Sequence, residues 1–270
     1  MYSNISLGIV GAGNMGGAIL QGVLAGGLPR ENVHIYDANE QRCKDLASAN
    51  RVNAAGELGD IARYCNTIIF AVKPDDFMPM LNRIKLSERN ESTLYISVAA
   101  GISISSMEYV LGRTARVIRV MPNTPARVGE GMTAVCPGGN ATPEDTELAC
   151  ELFGMMGRTE VMDEGLINAA AGISGCSPAY VYMFIEALAD AGVAHGLGRK
   201  AAYAMAAQSV LGAAKMVLET GSHPGDLKDE VCSPGGATIE AVMSLEQSGM
   251  RGAVMGAVNS AVSKMACMSK

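Results

Sequence analysis

Nowhere in the 270 residues is there a run of about 18 or more uninterrupted apolar side chains, so no segment reads as a membrane-spanning helix. Cationic charge is scarce as well. Lys and Arg number 21 against 27 Asp and Glu, a net charge of −6, which leaves no basic field to hold a nucleic-acid backbone or an anionic membrane. The seven cysteines (Cys43, Cys65, Cys136, Cys150, Cys176, Cys232, Cys267) form no C-x-x-C pair, so no metal site is expected, and the odd, scattered set reads as reduced thiols. The start of the chain lacks a basic stretch, with no arginine before Arg30, so neither a secretory nor a transit peptide is expected and the expected location is cytoplasmic. Internal repeats and low-complexity tracts are missing too. The three histidines, His34, His195 and His223, form no obvious acid–base pair and read as structural.

What is abundant is small and apolar. Hydrophobic residues make up 49%, glycine contributes 32 residues, and charged residues are 18% where about 25% is usual. Such a surplus has to be covered by close helix packing or by a subunit interface.

Up to about Val161 short β-rich runs alternate with helical stretches, the pattern of a doubly wound, mostly parallel sheet built from βαβ units. Strands are expected at Leu7–Val10, Val33–Tyr36, Thr67–Val72, Leu94–Val98 and Val117–Met121. Helices are expected at Met15–Ala25, Glu40–Ala49, Asp76–Ile84 and Ser105–Leu111. After about Met162 the β-rich runs stop and consecutive helices follow. The expected division is therefore 1–162 for an α/β domain and 163–270 for an all-helical one. Ser177-Pro178 reads as an N-cap followed by proline at the first helical position, opening a helix to about Ala194. Its segment Ala179-Tyr180-Val181-Tyr182-Met183-Phe184-Ile185 is apolar on every face and must be enclosed. A domain of about 110 residues has little interior of its own, so a partner chain is expected to supply the rest.

Gly11, Gly13 and Gly16 form G-x-G-x-x-G between a strand and a helix, with Ala12, Asn14 and Met15 filling the turn. Each glycine has a mechanical role in holding a dinucleotide: the tight turn, close approach of backbone to the pyrophosphate, and packing of helix on strand. At the end of the second strand Asp37 either accepts the ribose hydroxyls of NAD, which leans towards NADH, or caps the next helix. Arg42 and Lys44 stand near enough to meet a 2′-phosphate, so the cofactor stays open between NADPH and NADH. Three more turns follow strand ends, Ala71-Val72-Lys73-Pro74, Ala99-Ala100-Gly101 and Met121-Pro122-Asn123-Thr124-Pro125. In an open α/β sheet such turns line the nicotinamide crevice. Late in the chain, Val231-Cys232-Ser233-Pro234-Gly235-Gly236-Ala237-Thr238 runs a Pro-Gly-Gly turn into an amphipathic helix. Unpaired amides beside the Ser233 and Thr238 hydroxyls suit a small carboxylate; the alternative is a turn capped by its own serine.

Taken together, Gly11-Ala12-Gly13-Asn14-Met15-Gly16, Ala71-Val72-Lys73-Pro74, Met121-Pro122-Asn123-Thr124-Pro125, Ser174-Gly175-Cys176-Ser177-Pro178-Ala179-Tyr180 and Asp229 to Ile239 resemble the pyrroline-5-carboxylate reductase family. The resemblance spans essentially the whole chain. It implies a Rossmann domain joined to a helical dimerisation domain, helices interleaved between two subunits, and dimers assembling into rings. It implies reduction of 1-pyrroline-5-carboxylate to L-proline by NADPH or NADH. By the same resemblance the substrate carboxylate lies on the amides of Gly236, Ala237 and Thr238, helped by Ser233 and bordered by Val231 and Gly235. Thr238 is then the hydroxyl nearest the ring nitrogen. The cofactor set is Gly11 to Gly16, Asp37, Ala71, Val72, Lys73, Pro74, Ala99, Ala100, Gly101 and Asn123. A β-hydroxyacid dehydrogenase of the same plan carries a catalytic lysine on the first interdomain helix, and Gly175 to Asp190 has none. A nucleotide sensor without turnover would not need the Ser233–Thr238 cradle.

Overall fold

A computed structural model describes residues 4–88 and 92–268. The chain divides into two compact units, one running to Gly175 and joined by the residues from Val262 on, the other Cys176–Ala261.

The first unit follows the order β1 (Leu7–Val10), α1 (Asn14–Ala25), β2 (Val33–Tyr36), α2 (Glu40–Asn50), β3 (Asn53–Ala54), α3 (Leu58–Tyr64), β4 (Thr67–Phe70) and α4 (Pro74–Leu86). It continues with β5 (Leu94–Ser97), α5 (Ile104–Leu111), β6 (Arg116–Met121), β7 (Gly131–Pro137), α6 (Pro143–Gly154), β8 (Gly157–Val161) and α7 (Ile167–Ala170). The eight strands lie in the order β3-β2-β1-β4-β5-β6-β7-β8 and every pair is parallel except β6 with β7. The order reverses at β1 and β4, where Leu7 faces Val33 on one side and Thr67 on the other. A crevice beyond the carboxyl ends of the strands at such a switch point is where an open α/β sheet holds its ligand.

Both faces are buried along the central strands β1, β4 and β5, which explains why these are largely apolar rather than alternating. Along β4, Ile69 packs into one core with Ile9, Ile35 and Ile96, while Ile68 and Phe70 point into the other with Val10, Phe77 and Leu81. Two ion pairs pin the far side of the sheet: Arg116 to Asp145, which also closes the capping box of α6 with Thr142, and Arg119 to Glu164, each at 2.8 Å.

The expected strands stand within two residues of their observed ends. Three strands and two helices escaped the sequence reading. β3 has two residues, β8 is an exposed edge reading Gly-Arg-Thr-Glu-Val, and β7 carries Gly, Thr, Ala and Cys in place of large β-formers. Helices α3 and α6 lie between them.

The second unit holds α8 (Ser177–Ala194), α9 (Arg199–Thr220), α10 (Pro224–Val231), α11 (Ala237–Gln247) and most of α12 (Met250–Met268). The N-cap of α8 is Cys176, so Ser177 is its first helical residue and not the expected cap. The hairpin of α8 and α9 closes on the small buried residues Ala189, Ala202 and Ala206, with Arg199 bonded to Asp190. That trio is the entire hydrophobic core found there among the described residues. Tyr182, Met183 and Met205 are 61%, 69% and 60% exposed. By length and composition α9 alone among the described helices could cross a membrane.

Candidate active site

The glycine turn fits a pyrophosphate because three side chains are missing for three different reasons. Gly11 has φ +111° at the end of β1, donates its N–H to Tyr36 O at 2.7 Å, and a Cβ there would lie 2.5 Å from Ala71 O. A Cβ on Gly16 would lie 1.8 Å from Gly11 O. At Gly13 nothing lies within 4 Å, so the open side of the turn is free for a ligand. Gly13 is also the N-cap of α1, with no capping side chain and no acid in the first turn. Helices α2, α5 and α6 are capped by Asn39, Ser103 and Thr142. The start of α1 is thus left open for an anion, where amides and helix dipole act together.

Asp37 anchors this turn from the neighbouring strand. Its Oδ2 accepts the Ala12 N–H at 2.7 Å and its Oδ1 the Asn39 N–H at 2.8 Å, while Arg42 Nη1 stands 3.8 Å from Oδ2. Of the two roles open in the sequence, helix capping belongs to Asn39, whose side chain accepts from Arg42 N–H at 3.0 Å.

Three clefts open along the carboxyl edge of the sheet. One of about 260 Å³ is lined by Gly11, Gly13, Asp37, Ala38, Arg42, Ala71, Val72 and Lys73 among others. A second, about 730 Å³, includes Ala12, Gly13, Asn14, Arg42, Lys73 and Arg127. The third, about 530 Å³, includes Lys73, Pro74, Ala100, Gly101, Met121 and Asn168. Lys73 borders all three, which separates it from an ordinary surface lysine at a helix start.

Three residues of the expected cofactor set make contacts within the protein itself. Met15 packs against the core. Ala99 is buried, with its N–H on Ser97 Oγ at 3.2 Å. Asn123 is buried with both ends of its amide engaged: Oδ1 accepts from Met132 N–H and Nδ2 donates to Ser174 O, each at 2.9 Å. Its side chain therefore ties the loop in place and only its backbone remains for a ligand.

In the second unit α10 ends at Val231, and a turn leads into α11. Gly235 takes φ +67°, a left-handed conformation that glycine adopts without the steric cost other residues meet. Gly236 is the N-cap of α11 and no side chain caps the helix, so the turn is not closed by its own serine. The Gly236 N–H is already donated to Ser233 O at 3.0 Å, leaving the amides of the first turn, Ala237 and Thr238 foremost, without a side-chain cap. Ser233 Oγ would lie 2.3 Å from a Cβ on Gly236, so the hydroxyl sits over the turn only because that residue is glycine. Val231, Ser233, Gly235, Ala237 and Thr238 are all exposed. Beside them Lys228 is bonded to Asp229, and this carboxylate pushes the ammonium pKa up.

Known proteins match the chain over nearly its full length. A sequence model for pyrroline-5-carboxylate reductase dimerisation matches residues 164–268, and one for NADP oxidoreductase, coenzyme F420-dependent, matches residues 6–101. The pyrroline-5-carboxylate reductase of Escherichia coli is 46% identical over 266 residues, 98% of either chain. The chain belongs to the pyrroline-5-carboxylate reductase family. The enzyme of that name from Methanosarcina acetivorans is 44% identical over 94% of either chain. Among solved structures, that of a Coxiella burnetii pyrroline-5-carboxylate reductase superposes with a TM-score of 0.94 at 30% identity, over 99% of this chain and 100% of that one. Plasmodium falciparum pyrroline carboxylate reductase, solved with NADP bound, gives 0.87 at 35% identity over 100% of both.

Sequence reasoning passed over Arg127. It follows the Pro-Asn-Thr-Pro loop on the short 3-10 turn Thr124–Val128 and lines the cleft beside Asn14 and Gly13. Its distance of over one hundred positions from the glycine turn hid it, since only the return of the chain from β6 places it there.

Proposed function

We infer that the chain reduces 1-pyrroline-5-carboxylate to L-proline with NADPH or NADH, the final step of proline biosynthesis. The observation that carries this is the similarity to named reductases across 98% of the chain. Two uncapped helix N-termini behind glycine turns, at α1 and α11, supply the anion sites that a dinucleotide and a carboxylate substrate need. It is an NAD(P)H-dependent oxidoreductase acting on a cyclic imine.

When bound, the reduced nicotinamide supplies a hydride to the imine carbon. The protein's own residues bind and orient. A cyclic imine protonated on nitrogen is already electrophilic, so the site needs placement more than a strong acid, and placement contributes several kcal/mol. Gly11, Ala12, Gly13 and Asn14 receive the pyrophosphate, Gly16 lets the helix pack close behind them, and Asp37 takes the adenosine ribose. Lys73, Pro74, Ala100 and Gly101 border the nicotinamide. The Ala237 and Thr238 amides take the substrate carboxylate, with Ser233, Gly235 and Gly236 shaping the turn and Val231 beside it. The Thr238 hydroxyl holds the ring nitrogen and its proton.

Residues 163–270 form the dimerisation and substrate-binding domain in this reading, and 1–162 the nucleotide-binding domain. A second copy covers the apolar surface of α8 and α9, giving a homodimer that can assemble further into a ring. Its burial against protein, not lipid, accounts for the composition of α9, which carries Arg199, Lys200, Lys215 and Glu219. The enzyme works in the cytoplasm without nucleic-acid or membrane partners.

Initial rates of NADH and NADPH oxidation by the purified protein, with and without 1-pyrroline-5-carboxylate, test the reading. Substrate-dependent turnover with either nucleotide supports it. No turnover with both, while nucleotide binding is intact, overturns it.

A further inference from the structure

We propose that this chain selects NADH over NADPH, and that the anchored carboxylate of Asp37 makes the selection. The inference rests on the reading that the clefts beside the glycine turn hold a nicotinamide dinucleotide. It concerns which of the two.

Asp37 stands at the end of β2 and lines the same cleft as Gly11 and Gly13. An acid at this point of a dinucleotide fold meets the adenosine ribose, where NADP carries a 2′-phosphate and NAD a hydroxyl. The carboxylate cannot swing aside to admit a phosphate. Its two oxygens are held by separate backbone donors, Ala12 N–H at 2.7 Å and Asn39 N–H at 2.8 Å. Turning it away would leave the Ala12 and Asn39 N–H groups without this acceptor. Each oxygen keeps further acceptor capacity, which suits a pair of ribose hydroxyls and opposes an anion.

The rest of the β2–α2 turn offers a phosphate little. Ala38 has no donor, and the Asn39 side chain is engaged in capping α2. Lys44 is paired with Glu40 at 2.5 Å. That leaves Arg42, whose Nη1 lies 3.8 Å from Asp37 Oδ2, so a phosphate drawn to this guanidinium is brought against the carboxylate as well. The turn is therefore a site for hydroxyls with a counter-ion at its rim.

The test is direct binding of NADH and NADPH to the purified protein without substrate, by nucleotide fluorescence or calorimetry, repeated for Asp37→Asn and Arg42→Ala. The native protein is expected to bind NADH about tenfold or more tightly than NADPH, the scale of one close like-charge contact in partly aqueous surroundings. Asp37→Asn should close much of that gap by tightening NADPH, while Arg42→Ala should leave NADH preferred. Added salt, which needs no variant, should narrow the native preference by screening the repulsion. Equal or tighter binding of NADPH by the native protein overturns the inference and leaves the reductase reading standing. So does an NADPH affinity that falls, relative to that for NADH, as salt is added, because that is the signature of a cation-held phosphate. Binding of neither nucleotide overturns the reductase reading itself.

Discussion

The carbonyl oxygen of Gly11 sits 1.8 Å from the point where a side chain on Gly16 would begin. Loop and helix are thus in backbone contact, and Gly16→Ala must push them apart. Overpacking of this kind destabilises by about 1–3 kcal/mol. Gly13 has no neighbour within 4 Å and an ordinary φ of −76°, so Gly13→Ala should fold with native stability and lose nucleotide affinity. Urea denaturation beside a nucleotide titration separates the two variants. Equal loss of stability in both would show that the open side of the turn is not a ligand face.

Thr238 lies in the first turn of α11, exposed beside Ser233. If its hydroxyl holds the ring nitrogen, Thr238→Ala should lower kcat by about a hundredfold, the lower end of what a positioned proton donor contributes. Thr238→Ser should recover most of the rate. Steady-state kinetics on the three proteins decides, and an alanine variant with native kcat and KM would remove Thr238 from the mechanism.

Three buried alanines cannot stabilise a five-helix unit, while Tyr182 and Met183 stand largely in solvent in the single chain. Met183→Glu should therefore split the oligomer. Light scattering after gel filtration is expected to show a fall to monomer mass, and the native protein's Tm should rise with protein concentration. A variant that keeps the native mass would place the interface elsewhere.

Burial pushes the Cys65 thiol up to about 12 and Cys136 to about 11, and raises Cys43 as well. At pH 8 iodoacetamide should label exposed Cys267 and spare these three until the protein unfolds. A thiol raised above its unfolded value of 9.0 contributes stability that is complete below pH 9 and declines as pH climbs towards the folded value. His34 works at the other end, since burial lowers it from 6.5 and stability is lost as pH falls through that value. Thermal melts from pH 5 to 11 should show a plateau that falls away on both sides. A melting temperature unchanged between pH 9 and 11 would contradict the alkaline half.

The elements whose formation depends on neighbours in sequence were legible without coordinates. β1 and β2 were read with their observed limits and α8 with its start one residue late, because runs such as Leu7–Val10 and the proline after Ser177 act through local sterics and burial on every side. The glycine spacing announced a phosphate turn for the same reason: the forbidden side chains are a property of the residues themselves. Tertiary structure decided what depends on distant groups meeting. It set β7 antiparallel to β6, brought Arg127 beside Asn14, engaged the amide of Asn123 with Met132 and Ser174, and gave Asp37 the Ala12 N–H to hold while Asn39 took the cap. A side chain's chemistry is written in its own residue, but its partner is chosen by which strand ends the fold sets side by side.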